Sequence, residues 1–539
     1  MNHNNNKIVH GIDWIRHDFN LTPENFKAIV YGFKAECEKG LSTPTATGLA
    51  TMIPSYVTRM PTGKETGTYL ALDLGGSTLR VCAVCLLGEG QVKVTEVRKT
   101  ISDQLRTSTT DTFFDWIADT VAELLGKIPS SQHQQADKPA VAMGVSWSFP
   151  LDQTGISKGK ILRMGKGFVL SDIEGNDLAT LFHQGFQRKG LNVIVTALVN
   201  DTIGALVAHA YSNPQARVGF IYGTGVNAAY PEKVSRMIKL NVAEWRDTTT
   251  EMLVNTELDI FGSDGDYLPR TRFDHALDAS HAQPGFQPYE KMMSGAYLGE
   301  LVRLVVVDLV THHGLFGGVA PSLLQTPWQF LTLHMSEIEA ISNTDRLIEY
   351  LANLFHFTPN EQDALLFKSV CEMVSTRAAG LAAAGIAAMI EQQSFTPEQD
   401  IVIGINGTTF ERYPRMPERM HSFLSDWFGK DIGSRIKLQV ARDGGSIGAA
   451  LVAMLYSPSS LSTRSSPETK AKTLSSSTSS TPDDKSTTAI TTDTLSNNNN
   501  KHNNDIKTTP TSIKAWLLQY VLCCFPTRKT EMSSLPIEK

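Results

Sequence analysis

The stretch "TYLALDLGGSTLRVCAVCLL", residues 68–87, places two apolar, strand-like segments on either side of Gly75-Gly76. Glycines at a turn between strands let successive backbone N–H groups point outward together and form an anion-binding concavity. The hydroxyls of Ser77 and Thr78 can donate to the same anion. Asp73 would repel a phosphate, unless a hard cation such as Mg²⁺ lies between them. The stretch therefore predicts a hairpin that binds a magnesium–nucleotide, and an ordinary hairpin turn is the alternative.

A second strand–glycine turn–strand device lies at "RVGFIYGTGVNAAYPE", residues 217–232. Its "GTGVNA" fits a dinucleotide-binding fingerprint, but that fingerprint requires a helix to begin at the turn. Pro231 follows shortly and no helical period develops, so the pattern favours a second hairpin. Further glycine turns occur in "DIVIGINGTTF" and "ARDGGSIGAALVAML". Two β-rich halves with comparable turns predict a duplicated α/β fold with a cleft between the halves.

The rest of the pattern indicates which elements surround these turns. Three strands in a meander are predicted over residues 68–97, and an apolar strand ends at Asn200-Asp201. The N-terminal part is rich in helix, with a capping signature at Thr22-Pro23-Glu24. The segment "YEKMMSGAYLGELVRLVVVDLV" is predicted to form one long helical stretch.

Charge and cysteine content exclude several classes of protein. The net charge of −6 and pI near 6.2 give no excess of Lys and Arg for binding nucleic acid. The N-terminus lacks the apolar core of a signal peptide, and no run of about 18 apolar residues predicts a membrane span. Cys82 and Cys85 have C-x-x-C spacing, but in a strand they point to opposite faces, which favours core packing over a shared metal. These features predict a cytosolic protein.

The C-terminal tail differs from the rest in composition. Residues 458–512 are mostly Ser, Thr, Asn, Lys and Asp, and are predicted to be disordered because they cannot bury enough apolar surface. Residues 513–539 form a short apolar and basic tail. Its segment 513–529 either docks on the protein or lies as a helix on a membrane surface, acylated at Cys523 or Cys524. Nothing in the sequence indicates the oligomeric state.

Eight motifs, in order from about residue 12 to 456, resemble the hexokinase family. They are "PTGKETGTYLALDLGGSTLRV", "SWSFP", "GKGF", "LVNDTIGAL", "IYGTGVNAAY", "VNTELDIFG", "YEKMMSGAYLGELVRLV" and "DGGSIGAAL". The resemblance implies an α/β, two-lobed, actin-like ATPase fold of the ribonuclease H-like type, which closes over a sugar and MgATP. It implies an N-terminal helical segment (1–57) on the large lobe, a small lobe (58–203), a large lobe (204–445), and a last helix (446–457) that returns to the small lobe.

The same resemblance implies the roles of individual residues. Asp201 matches the catalytic base, which accepts a proton from the 6-hydroxyl of a hexose as ATP phosphorylates it. The implied substrate-binding residues are Ser148, Gly165, Lys166, Asn200, Asn227, Glu257 and Glu290. The implied ATP-binding residues are Asp73, Gly75, Gly76, Ser77, Thr78, Arg80, Gly223, Thr224, Gly407, Thr408, Gly445 and Ser446. Asp73 would also hold Mg²⁺ through water, and ATP and Mg²⁺ are the implied cofactors.

Several positions depart from the glucose-preferring members of the family. This chain has "GGST" for "GGTN", "GKGF" for "TKGF", "NTELDIFG" for "NTEWGAFG", and Asn406-Gly407-Thr408 for "DGS". The missing threonine at Gly165 removes one hydrogen bond, worth ~1 kcal/mol, and leaves space beside the sugar. "GGST" and "MGKGF" look most like divergent fungal hexokinases that phosphorylate N-acetylglucosamine. The substrate is therefore expected to be a hexose or an N-acetylhexosamine. A catalytically weak sugar sensor is the main alternative, and another actin-like ATPase such as a chaperone is a third.

Overall fold

The chain divides into two units, Met1–Ser457 and Pro458–Lys539, and the first contains two large β-sheets with separate hydrophobic cores. The structure is a computed structural model that describes residues 12–43, 51–129, 140–165, 167–240, 250–263, 265–396 and 398–458. The predictions of disorder up to residue 512, of a membrane-contacting tail at 513–529 and of acylation at Cys523 or Cys524 lie outside the described residues.

The first sheet has five strands. They are β2 (Thr66–Leu74), β3 (Thr78–Gly88), β4 (Gln91–Thr100), β5 (Val141–Trp147) and β8 (Val193–Val199), in the order β4-β3-β2-β5-β8. Strands β2, β3 and β4 are the predicted antiparallel meander; β5 runs parallel to β2, and β8 runs parallel to β5. Asp73 pairs with Arg80, and the Gly75 N–H donates to the Thr78 carbonyl at 3.0 Å. The glycine turn therefore closes the hairpin, as the sequence predicts.

Helices α4 (Thr110–Leu125) and α5 (Leu178–Arg188) pack on this small-lobe sheet, and the short helix α3 (Asp103–Arg106) packs on α4. The α4 and α5 helices begin at the side-chain caps Thr109 and Asp177, and Phe114 meets Phe182 edge-on at 5.0 Å. A short hairpin, β6 (Leu151–Gly155) and β7 (Lys158–Ile161), follows β5 and leads into the segment that contains Gly165.

The second sheet has six strands. They are β1 (Ile53–Pro54), β9 (Ala216–Tyr222), β10 (Val226–Lys233), β11 (Glu251–Asn255), β12 (Ile401–Asn406) and β13 (Ile436–Val440), in the order β1-β11-β10-β9-β12-β13. The β9–β10 hairpin turns at Gly223–Gly225, and β12 runs parallel to β9. Like the first sheet, this sheet contains an antiparallel hairpin closed by a glycine turn. A strand rather than a helix follows "GTG", as predicted.

Most helices pack around this large-lobe sheet. They are α1 (12–19), α2 (Pro23–Ser42), α6 (Asp201–Ser212), α7 (Arg272–Ser280), α8 (Pro288–Met293), α9 (Leu298–His313), α10 (Ser322–Gln325), α11 (Thr332–Ala340), α12 (Thr344–Phe355), α13 (Glu361–Glu391), α14 (Thr408–Arg412) and α15 (Met416–Gly433). Helix α2 begins at the predicted cap Thr22 and packs on α13. Among the described helices, α13 is long and apolar enough to cross a membrane, but 89% of its most apolar window is buried inside the protein.

The two lobes meet where α6 crosses the segment that begins the last helix, α16 (Ala449–Leu455). A Cβ on Gly448 would lie 2.1 Å from the Gly204 carbonyl oxygen, and one on Gly204 would lie 2.6 Å from that of Gly444. Only glycine allows this approach. Helix α16 then packs on β2, β5 and β8, so the chain returns from the large-lobe sheet to the small-lobe sheet.

The long helix predicted over residues 289–310 is in fact broken between α8 and α9. In the break, the N–H groups of Gly295 and Ala296 donate to the carbonyls of Gly223 and Thr224, at 2.8 and 3.0 Å. The helical period continues across the break in the sequence, but these bonds to the β9–β10 turn replace the intrahelical ones.

Candidate active site

Asp201 is the first residue of α6, directly after β8. Asn200 caps the helix with its side chain, which accepts from the Thr202 N–H at 2.9 Å, and Asp201 Oδ1 accepts from the same N–H at 2.8 Å. The Asp201 side chain is exposed. A carboxylate held at a rigid strand end and open to solvent can accept a proton from a bound hydroxyl.

Asn227 and Glu257 form one hydrogen-bonded group at the ends of β10 and β11. Glu257 Oε1 accepts from Asn227 Nδ2 at 3.1 Å and from Asn255 Nδ2 at 2.6 Å. Glu257 adopts a left-handed conformation with φ 50°, which turns the chain directly after β11. The paired strands and this turn hold a carboxylate and an amide side by side, as recognition of a polyol requires.

Glu290, on α8, joins the same region from another element. Its Oε2 accepts from the Val226 N–H at 2.9 Å, and a Cβ on Gly225 would lie 2.6 Å from that oxygen. Burial and the charge of Glu257 raise the pKa of Glu290. Burial, followed by the charges of Asp259 and Asp201, raises the pKa of Glu257. The structure therefore brings Asp201, Asn227, Glu257 and Glu290 into one cluster.

The predicted small-lobe sugar residues lie on other segments. Ser148 follows β5 and is half-buried, and a Cβ on Gly165 would have no atom within 4 Å. Lys166 lies outside the described residues. Within the described ranges, no hydrogen bond joins Ser148 or Gly165 to the large-lobe cluster. The contact-free Cβ position shows open space beside Gly165.

The β2–β3 turn lies against the glycine turn that precedes α16. A Cβ on Gly445 would lie 3.2 Å from Asp73 Oδ2. Gly75, Gly76, Ser77 and Thr78 are all half-buried, and the Ser77 and Thr78 hydroxyls lie 3.4 Å apart. Arg80 donates from Nε to Glu96 at 2.5 Å and from Nη1 to Asp443 at 3.1 Å, so it ties the meander to the turn at 443–445. Ser446 is buried, 1% exposed, in the crossing segment.

The two large-lobe glycine turns are also in contact. A Cβ on Gly407 would lie 2.4 Å from the Tyr222 carbonyl, and Gly223 lies against Gly407 and Thr408. Thr409 donates to the Gly223 carbonyl at 2.7 Å. Thr224 is half-buried beside Ala296. The predicted nucleotide residues therefore form two groups, one around residues 73–78 and 443–446 and one around 223–225 and 407–409.

Comparison with known proteins shows to which family the chain belongs. Models of the family described as Hexokinase match residues 11–211 and 217–455. The chain belongs to the hexokinase family. It is 32% identical over 454 residues to Hexokinase-1 of Schizosaccharomyces pombe, covering 84% of this chain and 92% of that protein.

Solved hexokinase structures share the two-lobed α/β fold. A hexokinase from Schistosoma mansoni, complexed with glucose, matches with a TM-score of 0.70 and 32% identity, over 84% of this chain and 99% of that one. A second hexokinase crystal structure matches with a TM-score of 0.74 and 26% identity, over 83% and 100%. The predicted fold class is confirmed. As a member of this family, the hexokinase phosphorylates a sugar with ATP, a reaction in which the family uses a divalent metal.

Three residues of the cluster around Glu257 and Glu290 are not predicted from the sequence. Asn255 holds Glu257, and Gln287 Nε2 donates to Asp259 Oδ2 at 2.6 Å. Asp259 could have been found from the sequence, because "NTELDIFG" has an aspartate where "NTEWGAFG" has a glycine. Asn255 stands two residues before Glu257 within one of the family motifs, and nothing in the sequence marks Gln287.

Proposed function

We propose that this hexokinase transfers the γ-phosphoryl group of MgATP to the 6-hydroxyl of a hexose and prefers N-acetylglucosamine to glucose. The product would enter glycolysis or amino-sugar metabolism. The observation that carries the transfer is the exposed Asp201 carboxylate, fixed at the start of α6 beside Glu257. The cytosolic location and the membrane contact through residues 513–529 stay predictions.

Asp201 would accept the proton of the attacking hydroxyl. Phosphoryl transfer relies on positioning and charge stabilisation more than on covalent chemistry of the protein. The helix cap at Asn200 and the Thr202 N–H fix the carboxylate without consuming both of its oxygens. This geometry supports a base that meets the hydroxyl as it attacks phosphorus.

Asn227, Glu257 and Glu290 would bind the sugar hydroxyls, with Asn200, Ser148 and Lys166 completing the ring. Carboxylate and amide groups accept and donate in fixed directions, which suits a polyol. The Schistosoma mansoni hexokinase, similar over nearly its whole length, was solved with glucose. That similarity supports a hexose in the same cleft of this chain.

The glycine turns would bind the triphosphate from both lobes. The half-buried Asp73 carboxylate lies against Gly445, at a place where any side chain on residue 445 would crowd it. A carboxylate, backbone N–H groups and hydroxyls fit Mg²⁺ bound through water together with phosphate oxygens. When bound, the metal would neutralise charge on the transferred group. Gly407, Gly445 and Ser446 would border the adenosine.

The preference for N-acetylglucosamine rests on Gly165. A 2-acetamido group needs room, and a Cβ at residue 165 would meet nothing within 4 Å. The absent threonine hydroxyl also removes a partner that favours a plain hexose.

A coupled assay of the purified protein across glucose, mannose and N-acetylglucosamine tests the proposal. We expect the highest kcat/KM with N-acetylglucosamine, and a rise for glucose by about fivefold in Gly165→Thr, since one hydrogen bond is worth ~1 kcal/mol. Asp201→Ala is the inactive control. A kcat/KM for glucose far above that for N-acetylglucosamine would overturn the preference.

A sugar sensor that turns over slowly is the second candidate. It is favoured by the buried Asp259 carboxylate beside the sugar-binding acids, where glucose-preferring members have glycine. ADP release measured with and without each sugar separates the two: a sensor binds sugar but releases no additional ADP.

A further inference from the structure

Asp259 is a buried carboxylate that the proposed function does not use. It lies in the 3₁₀ turn Leu258–Ile260, directly after Glu257, and is 6% exposed. One of its oxygens, Oδ2, accepts from Gln287 Nε2 at 2.6 Å. The other, Oδ1, is shielded from solvent and accepts no hydrogen bond within the described residues. The N–H groups of Asp259 and Ile260 lie nearby and favour the charged form, but neither makes a hydrogen bond to Oδ1.

Asp259 stands among the proposed sugar-binding acids. Burial and the charge of Glu290 raise the pKa of Asp259, and the charge of Asp259 in turn raises the pKa of Glu257. The charge of Asp201, on α6, also raises the pKa of Glu257, and the charge of Lys291, on α8, lowers the pKa of Glu290. Asp259 therefore lies within electrostatic reach of Glu257 and Glu290, which come from two different elements.

A buried acceptor without a donor is costly to a folded protein. The cost is relieved when a ligand supplies the donor, and sugars carry donors at nearly every ring carbon. Glycine, the residue of glucose-preferring relatives at this position, cannot accept such a bond. The position therefore distinguishes this chain from those relatives in a way that bears on substrate choice.

We propose that Asp259 is a specificity-determining residue that accepts, through Oδ1, a hydrogen bond from a hydroxyl or amide N–H of the bound sugar beside the groups held by Glu257 and Glu290. This inference rests on the proposed sugar site. A competing explanation is that Asp259 and Glu290 share a proton, which would satisfy Oδ1 without any ligand.

The variant Asp259→Asn separates these explanations. Its amide oxygen can still accept from Gln287, while its NH₂ group, a donor, replaces the free acceptor. Sugar affinity is measured by calorimetry in the absence of nucleotide. We expect sugar affinity to fall by ~10- to 100-fold, because the sugar's donor would then face the NH₂ group of the variant, another donor, in place of a charged acceptor. The matched control Gln287→Ala removes the link but keeps the carboxylate, and we expect it to weaken binding by less than about threefold.

Unchanged sugar affinity in Asp259→Asn overturns the proposal, because an amide satisfies a shared-proton pair as well as the acid does. A loss in Gln287→Ala as large as that in Asp259→Asn also overturns it, because Asp259 would then act only by positioning the loop before Glu290. Melting temperatures confirm that the variants fold, and Asp259→Gly, the residue of the relatives, serves as a second variant.

A panel of analogues identifies the donor. N-acetylglucosamine, glucose, 2-deoxyglucose and 1,5-anhydroglucitol are bound to the unaltered protein and to Asp259→Asn. An analogue that lacks the donor should bind Asp259→Asn as well as it binds the unaltered protein. If Asp259→Asn weakens the binding of all four sugars equally, the donor is not the substituent at carbon 1 or carbon 2. Because no ATP is present, a protein that binds sugar but transfers no phosphoryl group would refute the proposed activity without affecting this test.

Discussion

At the residue scale, the proposed sugar site contains acids whose protonation states depend on one another. Burial raises the pKa of Glu257, Asp259 and Glu290, and the negative charge of a neighbouring acid in the same group raises each pKa further. In the unfolded chain the same acids titrate at about pH 4. The folded state therefore binds more protons than the unfolded state above that pH. The stability that these acids contribute is fully present below the unfolded pKa and is lost as the pH rises through the folded values.

This linkage predicts the behaviour of Glu257→Gln, which keeps an acceptor for Asn227 and Asn255 but cannot ionise. The free energy of unfolding of the variant should rise relative to that of the unaltered protein between about pH 5 and pH 8, by about 1.4 kcal/mol for each tenfold difference in proton affinity between the folded and unfolded chains. Urea denaturation at several pH values measures it. Glu251→Gln, at the half-exposed far end of β11, is the control. A difference that stays constant with pH would contradict the linkage.

Asp201 gives a second prediction at this scale. Asp201→Asn keeps the acceptor for the Thr202 N–H but is not a base, so kcat should fall by ~10²- to 10⁴-fold while sugar affinity changes little. Steady-state kinetics combined with calorimetry measure both quantities. A kcat within about threefold of the unaltered value would refute the assignment of Asp201 as the base.

At the element scale, the turn between β9 and β10 and the break between α8 and α9 form one unit. Gly225 is needed because Glu290 Oε2 occupies the place of a side chain, and the N–H groups at 295–296 bind the carbonyls at 223–224. Gly225→Ala should therefore displace Glu290 and raise the sugar KM by about tenfold or more, with a smaller effect on KM for ATP. Gly126→Ala, at the end of α4, is the matched control, because a Cβ there meets only ordinary contacts from 3.5 Å. Equal effects on both KM values would contradict a role confined to Glu290.

The same elements show how far the sequence could lead. The glycine turns predicted both hairpins, because a turn between two apolar runs is specified locally. The break after Met293 could not be predicted, since it depends on carbonyls at 223–224, far earlier in the chain. Asn255 and Gln287 escape prediction for the same reason: their partners, Glu257 and Asp259, are defined only once the strands pair and α8 packs against the turn at 258–260. The family resemblance supplied Glu257 and Glu290; the residues that position them are visible only in the structure.

At the scale of the whole molecule, the relation between the lobes depends on the glycine crossing of α6 with the segment before α16. Asp201 begins α6, and the turn at 443–445 lies against Asp73 just before α16. Arg80 adds an ion pair to Asp443, and Tyr456, just after α16, accepts from the Thr58 N–H at 2.6 Å. The distance between the proposed base and the proposed metal ligand is therefore set by how closely these two segments approach.

Gly448→Ala tests this dependence. Its Cβ would lie 2.1 Å from the Gly204 carbonyl oxygen, a backbone atom that cannot rotate away, so the segments must separate. Such overpacking costs about 1–3 kcal/mol or more, and we expect a lower melting temperature. Moving the base relative to the nucleotide site should also lower kcat more than it weakens sugar binding, because Asn227, Glu257 and Glu290 all lie on the large-lobe side. The control Gly126→Ala should change neither quantity. If Gly448→Ala lost stability but kept its kcat, the crossing would serve only to hold the fold together.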